Sequence, residues 1–208
     1  MKESIDELNP AESPTEIRSS LSRPKRGASD YVALAIATCG VGYLPLAPGT
    51  WGSLLGVGIY LVLWGATQRV LFMNAAIHRF TLLEIWTPAI TLMLVAVFGV
   101  TMAGIWAASR AEKLFQRKDP GAIVVDEVAG QMIALLSGPF WLHTSWSIVS
   151  AFLLFRLFDI WKPYPIRRLE GLESGLGVMA DDIGAGIYAL MANSVLITSY
   201  LLLFQGGG

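Results

Sequence analysis

The sequence has little of what a soluble domain or a thiol-based site requires. Only 15% of its 208 residues are charged, and it has two histidines and one cysteine, Cys39. A single cysteine excludes an internal disulfide, and no second cysteine or nearby histidine completes a zinc or thiol-nucleophile site. The 15 basic and 16 acidic residues give a net charge of -1. We therefore expect no nucleic-acid partner, because the chain lacks a broad basic surface.

Long apolar segments dominate the rest of the chain. The hydrophobic share is 54% and the mean hydropathy is +0.55. Four stretches contain no charged residue, namely residues 31–68, 85–109, 128–155 and 183–208. Stretches of this length can cross a bilayer as helices, and continuous apolarity with many small residues favours a helical bundle. The expected fold class is all-α, a membrane-embedded helical bundle.

The N-terminal segment differs in composition from the rest. Residues 1–30 are rich in Ser and Pro, carry mixed charges and lack the apolar core of a secretion signal. We expect residues 1–30 to form a disordered polar tail and residues 31–205 to form the membrane domain. The basic end of the tail is typical of a cytoplasmic flank.

A segment rich in Gly and Pro, residues 40–53, interrupts the first apolar stretch. Its four glycines and two prolines predict a re-entrant Gly/Pro loop near the N-terminus rather than a helix. The helices expected after it are residues 54–66, 88–108, 128–142, 145–158 and 183–204. Several of these, such as residues 54–66 and 128–142, are shorter than the roughly 20 residues that a span needs.

Charge placement predicts which end of each helix faces the cytoplasm. With the tail inside and the helices alternating, 13 of the 15 basic residues lie inside, and only Arg69 and Arg79 lie outside. The same arrangement brings the Gly/Pro loop and the acidic residues at the helix ends to the inner face. His78 and His143 fall on the other face, so neither is expected to act as a general base there.

Five carboxylates lie at or near the ends of the expected helices. They are Asp126, Glu127, Asp159, Asp181 and Asp182. Carboxylates in such positions are costly unless they pair with cations or hold a metal ion. A set of oxygen ligands without Cys or His favours a hard ion, and Mg²⁺ is the natural choice beside a phosphate. Salt bridges and helix caps remain the alternative for any one of them.

Three charges share one face of the helix that precedes Pro163. Arg156, Asp159 and Lys162 recur at i, i+3 and i+6. Arg and Lys beside Asp can hold phosphate oxygens, and we favour that role for Arg156 and Lys162. Arg167 lies shortly after them, and an anchor at the inner membrane surface explains it equally well.

Two glycine-containing segments precede expected helices. The first contains Gly49, Thr50, Gly52 and Ser53, whose N–H groups and hydroxyls could approach an anion, although a structural kink is the alternative. The second, residues 175–180, predicts a flexible approach to paired carboxylates at the start of the last helix. Capping of that helix accounts for one Asp but not for both.

Four segments in order, residues 44–53, 125–130, 155–167 and 175–186, resemble the phosphatidylglycerophosphatase A family. The resemblance extends over residues 40–190. It implies an all-helical, Mg²⁺-dependent lipid phosphatase of the bacterial inner membrane. The charge placement described above predicts that its active site faces the cytoplasm. The implied reaction converts phosphatidylglycerophosphate to phosphatidylglycerol and phosphate.

The mechanistic hypothesis assigns two sets of residues. The five carboxylates are expected to be catalytic and to hold Mg²⁺, which orients an attacking water. The residues expected to bind the substrate phosphate are Gly49, Thr50, Gly52, Ser53, Arg156, Lys162 and Arg167. A phosphoenzyme intermediate stays open as an alternative to direct attack by water.

Two other classes of protein remain possible on the residues alone. Acids within membrane helices and broken helices also mark ion paths, so a small divalent-cation carrier is the main alternative. A membrane scaffold without activity is the third. A carrier requires acids near the middle of the spans, whereas these carboxylates are expected at one end.

Overall fold

The described part of the chain is built from helices joined by short connections. The computed structural model describes residues 26–75, 82–137 and 144–204. Their seven α-helices are α1 (Ala28–Thr38), α2 (Pro48–Ala75), α3 (Leu82–Phe115), α4 (Val125–Ala134), α5 (Ser145–Trp161), α6 (Ile166–Leu169) and α7 (Ser174–Phe204). These ranges contain no strand, so the all-α prediction is confirmed. Residues 28–30 of the expected tail belong to α1, and residues 1–25 lie outside the described residues.

Three helices are long and apolar enough to cross a membrane. They are Pro48–Val70, Thr87–Phe115 and Ser174–Phe204, with 23, 29 and 31 residues. At about 1.5 Å per residue, each is longer than the roughly 30 Å core of a bilayer. Large apolar side chains such as Val62, Phe98 and Val195 are exposed along them. Such a surface suits lipid rather than water.

Helix α4 differs from the predicted span at 128–142. It has 10 residues, all but one of them buried, and it ends at Ala134. A helix of that length rises only about 15 Å, too little to cross a bilayer. It packs against α2 and α7 in the interior of the bundle. Residues 138–143 of the predicted span lie outside the described residues.

The Gly/Pro segment is helical over much of its length, contrary to prediction. A 3-10 turn, Val41–Tyr43, is followed by a short connection, and α2 then begins at Pro48 instead of residue 54. Proline is well tolerated at a first helical position, because its missing N–H would have no partner within the helix anyway. Re-entry of the segment into a membrane stays a prediction.

The last helix also begins earlier than predicted, at Ser174 instead of residue 183. The supposedly flexible residues 175–180 form its first turns. The amide of Gly175 donates a hydrogen bond of 3.1 Å to the Ser109 hydroxyl of α3. Asp181 and Asp182 consequently lie about two turns inside α7 and do not cap it.

A close helix crossing joins α4 to α7. A Cβ atom added to Gly186 would meet the Gly130 carbonyl oxygen and would lie 3.0 Å from the Gly130 Cα. Glycine at both positions allows the two backbones to touch, as at other small-residue contacts between membrane helices. The crossing holds the start of α4 beside the third turn of α7.

A buried polar network joins α5 and α7. The Asn193 amide of α7 donates hydrogen bonds to the Ser137 hydroxyl at 2.5 Å and to the Ser147 carbonyl at 3.2 Å. The Ser150 hydroxyl donates to the Asn193 Oδ1 at 2.6 Å. Both ends of the buried amide therefore have partners, as buried polar groups usually do.

The glycine contact between α4 and α7 predicts a sharp difference between two substitutions. We expect Gly186→Ala to destabilise the protein by about 1–3 kcal/mol, because the added methyl group must displace the Gly130 backbone. Gly58→Ala is the matched control, since nothing lies within 4 Å of a Cβ at Gly58. It should leave stability unchanged or raise it by up to about 1 kcal/mol through helix propensity. Unfolding in detergent measures both, and equal effects would contradict the close crossing.

Candidate active site

The structure brings the five predicted carboxylates to the same end of the bundle. The first turn of α4 supplies Asp126 and Glu127, the last turns of α5 supply Asp159, and the third turn of α7 supplies Asp181 and Asp182. Helices α4 and α7 begin at this end and α5 finishes there, so each places its acidic turn beside the others. The convergence predicted from the order of helices is observed.

Three of these carboxylates form one cluster. Oxygen atoms of Asp126, Glu127 and Asp182 lie within 4.8 Å of one another. Asp126 and Asp182 are buried, with exposed fractions of 6% and 4%. The Glu127 amide donates a 3.1 Å hydrogen bond to Asp126 Oδ1, and Glu127 Oε2 is buried with no hydrogen-bond partner. In the described ranges no Lys or Arg forms an ion pair with any of the three.

The cluster places negative charge where it is poorly solvated. Burial raises the pKa of Asp126 well above its ordinary value, and the charges of Glu127 and Asp182 raise that pKa further. Burial likewise raises the pKa of Glu127, against the opposing effect of its hydrogen bond with Asp126. Both groups lie on α4, outside the three helices able to span. Such a cluster keeps protons unless a cation neutralises it.

The remaining two carboxylates are each paired with a cation. Arg156 Nη1 lies 2.6 Å from Asp159 Oδ2, and Lys162 Nζ lies 2.6 Å from Asp181 Oδ2. Desolvation acts to lower the pKa of Lys162, but the hydrogen bond and charge of Asp181 outweigh it and raise that pKa. Lys162 therefore stays charged. The five carboxylates thus divide into a cluster of three and two ion pairs beside it.

Lys162 reaches Asp181 from the position that ends α5. It is the C-cap residue and adopts the left-handed conformation, with φ of 46°. Its amide donates to the Phe158 carbonyl at 2.8 Å, and Pro163 then prevents the helix from continuing. The Asp–Lys pair consequently joins the end of α5 to the third turn of α7.

The start of α2 meets this site at Gly49. A Cβ atom on Gly49 would collide with Glu127 Oε1 and lie 3.2 Å from Arg156 Nη1. Thr50 follows, partly exposed, and its amide donates to the Ala47 carbonyl at 2.9 Å. Glycine at position 49 is what allows the positive end of the helix dipole to approach Glu127.

The other two predicted residues of this turn serve packing. Gly52 is buried, and a Cβ there would lie 2.9 Å from the Val124 side chain. Ser53 has no exposed surface, and its hydroxyl donates to the Gly49 carbonyl at 2.9 Å. Gly52 and Ser53 therefore support the first turn of α2, and only Gly49 and Thr50 have the exposure to meet a ligand.

Arg167 does not contact the carboxylates in the way that Arg156 and Lys162 do. It is exposed on α6 and lines a groove beside the site. Among the described residues it forms no ion pair with a carboxylate. The expectation that it joins the other phosphate-binding residues receives no support from a contact in this structure.

The structure offers no activated thiol in its described part, and the two histidines are among the residues outside that part. Cys39 is half-buried, and burial raises its pKa to about 11. The thiol is therefore protonated near neutral pH and is a poor nucleophile.

One buried polar residue near the site was missed by sequence reasoning. Gln131 has no exposed surface, and neither its amide nitrogen nor its amide oxygen has a hydrogen-bond partner. It lies one turn after Glu127, and both residues are on the side of α4 that meets α2. The i, i+4 spacing from an acidic residue was the available signal.

The fold and the site together define a class of protein. It is an all-helical protein with three potential membrane spans, a cluster of buried and half-buried carboxylates, and two cations held beside that cluster. The chain belongs to the phosphatidylglycerophosphatase A family, whose model matches residues 34–197. It is accordingly a phosphatase, and its family implies a lipid substrate.

Three curated bacterial relatives are similar over most of the chain. A Haemophilus influenzae protein named phosphatidylglycerophosphatase A is 36% identical over 73% of this chain and 80% of its own length. An Escherichia coli protein of the same name is 32% identical over 71% and 73%. A Bacteroides thetaiotaomicron protein, named provisionally as a phosphatidylinositol-3-phosphatase, is 40% identical over 75% and 87%. No solved structure matches the chain.

The unpartnered amide of Gln131 predicts how substitution by leucine changes stability and activity, with a second buried glutamine as the control. We expect Gln131→Leu to raise stability by about 1–3 kcal/mol, because it removes buried polar atoms without partners, and to lower phosphatase activity. Gln68→Leu is the matched control. Both amide atoms of Gln68 are likewise buried without partners, but Gln68 lies about 28 Å along α2 from Gly49.

Thermal unfolding and phosphate release in detergent test this pair of variants. Gln68→Leu should become more stable with unchanged activity. If Gln131→Leu keeps full activity, the Gln131 amide has no part in the site.

Proposed function

We propose that this chain is a Mg²⁺-dependent lipid phosphatase that hydrolyses phosphatidylglycerophosphate to phosphatidylglycerol and phosphate. The observation that carries the proposal is the cluster of Asp126, Glu127 and Asp182. Within the part of the chain that the structure describes, this cluster has no basic partner, although two cations lie close by. A phosphatase of this family needs a site for a strongly anionic group, and carboxylates alone would repel it. A bound divalent cation removes that conflict.

The donor set fits Mg²⁺. All three ligands are carboxylates, which hard cations prefer, and their oxygens are close enough to share one ion. The buried Glu127 Oε2, which lacks a hydrogen-bond partner, is an available ligand atom. Asp126, Glu127 and Asp182 would hold the ion, while Asp159 and Asp181 are occupied by Arg156 and Lys162. When bound, Mg²⁺ supplies charge neutralisation of the phosphate and activation of water.

The cations beside the cluster bind the phosphate in this proposal. Asp159 holds Arg156 and Asp181 holds Lys162, so both cations are oriented before substrate arrives, which reduces the entropy lost on binding. Gly49 and Thr50 add the positive end of α2 on the Arg156 side. We assign phosphate-oxygen binding to these four residues.

A buried carboxylate oxygen is available to accept the proton of the attacking water. Asp181 Oδ2 is fixed by Lys162, whereas Asp181 Oδ1 is buried without a hydrogen-bond partner. We therefore assign Asp181 Oδ1 as the general base. A phosphoenzyme formed on a carboxylate is the alternative, and rapid quenching with radiolabelled substrate distinguishes the two routes.

The proposed substrate is phosphatidylglycerophosphate, and a phosphatidylinositol phosphate is a second candidate. The Bacteroides relative, by its name, acts on a phosphatidylinositol phosphate instead of phosphatidylglycerophosphate. In both lipids a phosphomonoester is carried by a polyol that a phosphodiester joins to the diacylglycerol. Assay of both lipids with this chain decides between them. The carrier interpretation is not favoured, because the chain belongs to a family of phosphatases.

We also propose that the protein is a multi-pass protein of the bacterial inner membrane, with this site facing the cytoplasm. Basic residues collect at the site end of the bundle. Lys118, for example, donates to the Glu170 carbonyl at 3.2 Å, and Lys162 lies 3.8 Å from the Glu170 carboxylate. Arg69 lies towards the opposite end of α2, in agreement with the preference of basic residues for the cytoplasmic side.

Removal of one cluster carboxylate should abolish both metal binding and catalysis. We expect Asp182→Asn to lower kcat by about 100-fold or more, because the ion and its charge stabilisation are lost. Phosphate release from phosphatidylglycerophosphate in detergent, with Mg²⁺ and with EDTA, measures the effect. Mg²⁺ should raise the apparent Tm of the wild type but not that of Asp182→Asn.

Asp30→Asn is the matched control for that experiment. Asp30 is an acidic residue paired with Arg110 at 2.6 Å and lies outside the cluster. Its substitution should leave the Mg²⁺ requirement unchanged and activity within about twofold, because the pair lies near the protein surface and away from the cluster. Wild-type activity that persists in EDTA, or full activity of Asp182→Asn, would contradict the proposed metal site.

The proposed orientation predicts opposite labelling at two exposed positions. In a Cys39→Ala background, Arg69→Cys should react with a membrane-impermeant maleimide in intact spheroplasts. Lys118→Cys should react only after the membrane is permeabilised. The reverse pattern would place the site outside the cytoplasm.

A further inference from the structure

A groove lined by cations and aromatic rings lies directly beside the candidate active site. It has a volume of about 520 Å³ and is lined by Trp161, Lys162, Pro163, Tyr164, Arg167 and Arg168. This volume is within the usual range for small-molecule sites. Trp161 and Tyr164 are 68% and 71% exposed, as suits aromatic residues at a membrane surface.

Two of the three cations in the groove have no acidic partner. Arg167 and Arg168 form no ion pair within the described residues, whereas Lys162 contacts Asp181 and, at 3.8 Å, Glu170. The Arg168 guanidinium lies over the Tyr164 ring, 4.9 Å from its centroid, and donates to the Tyr164 hydroxyl at 3.3 Å. The groove is therefore a positively charged surface whose charge is not neutralised from within.

The groove is fixed to the same turns of α7 that carry the site. Ile166 is fully buried, and a Cβ on Gly184 would lie 3.1 Å from the Ile166 side chain. The Tyr188 hydroxyl of α7 donates to the Tyr164 carbonyl at 3.0 Å. Gly184 and Tyr188 follow Asp181 by about 4.5 Å and 10.5 Å along the helix axis. Lys162 belongs both to the groove, which it lines, and to the candidate active site, because its ammonium group contacts Asp181.

We infer that this groove, through Arg167 and Arg168, binds the phosphodiester that joins the substrate's polyol to its diacylglycerol. The inference rests on the proposed function and gives Arg167 a different ligand from the phosphomonoester expected from sequence. Arg is well suited to such a group, because its planar guanidinium can donate two hydrogen bonds to phosphate oxygens.

The proposed substrate carries one phosphate group for each of the two sites, a monoester for the carboxylate site and a diester for the groove. In phosphatidylglycerophosphate six covalent bonds of about 1.5 Å separate the two phosphorus atoms, so they lie less than about 9 Å apart. Lys162 lines the groove and pairs with Asp181, so the groove adjoins the proposed monoester site. The groove would thereby favour lipids that carry both a monoester and a diester over lipids such as phosphatidic acid, which carry a monoester alone.

Product inhibition separates the two sites experimentally. Phosphatidylglycerol retains the diester and lacks the monoester, whereas inorganic phosphate resembles the monoester alone. In micelles of a nonionic detergent, Arg167→Gln should raise the KM for phosphatidylglycerophosphate and the inhibition constant of phosphatidylglycerol by about tenfold each, since one charge-assisted contact is lost. The kcat and the inhibition constant of inorganic phosphate should change by less than about twofold.

Two further variants make the result specific. Arg117→Gln is the matched control, because Arg117 is exposed at the same end of the bundle and does not line the groove. It should leave all four constants unchanged. Arg167→Lys keeps the charge but loses the planar donor pair, so it should lie between the wild type and Arg167→Gln. An unchanged Tm for each variant shows that it is folded.

Each other result overturns the inference in a distinguishable way. Weaker inhibition by inorganic phosphate in Arg167→Gln would place Arg167 at the monoester site. Equal losses in Arg117→Gln would show only a general attraction to anionic lipid. A wild type that releases no phosphate would contradict the proposed function. Calorimetric titration with detergent micelles that contain phosphatidylglycerol would then test separately whether the groove binds the diester. Equal binding by the wild type and Arg167→Gln would reject that role.

Discussion

Three clustered carboxylates, two buried and one half-buried, have no basic partner among the described residues, and this is the constraint on which the rest of the structure depends. The buried Asn193 amide, by contrast, is satisfied through three hydrogen bonds. At Asp126, Glu127 and Asp182 the chain leaves charges that must take up protons or a cation. Such an unsatisfied arrangement is costly in stability, and sites of function are where proteins retain it.

The helix packing around the cluster follows from this constraint. Glycine at positions 130 and 186 brings the backbones of α4 and α7 into contact, and glycine at position 49 brings the start of α2 against Glu127. A side chain at any of these positions would separate the elements that carry the acidic groups. The two neighbouring cations are held by their own carboxylates, so they lie beside the cluster without neutralising it. In the proposed function these two cations bind the phosphate oxygens of the substrate.

Sequence reasoning was successful for the class of fold and less so for the helix ends. Long charge-free stretches predicted an all-helical protein, because only hydrogen-bonded helices or closed barrels suit an apolar environment. The helix starts predicted at residues 54 and 183 are wrong, because the Gly and Pro residues before them do not break these helices. Pro48 begins a helix at a first-turn position, where a missing N–H costs no hydrogen bond, and Gly175 packs against α3. Those glycines serve close contacts that a linear pattern does not reveal.

By itself the sequence determined the helical class, the convergence of the acidic segments at one end, and the family resemblance. These features follow from composition, order and local spacing, which need no knowledge of distances between helices. Only the tertiary structure decided which carboxylates share a cluster, which are held in ion pairs, and that Arg167 lines a separate groove. Those distinctions depend on contacts of 2.6 Å between side chains and on the close approach of α4 and α7. Helix packing sets such distances, and residue spacing along one chain leaves them undetermined.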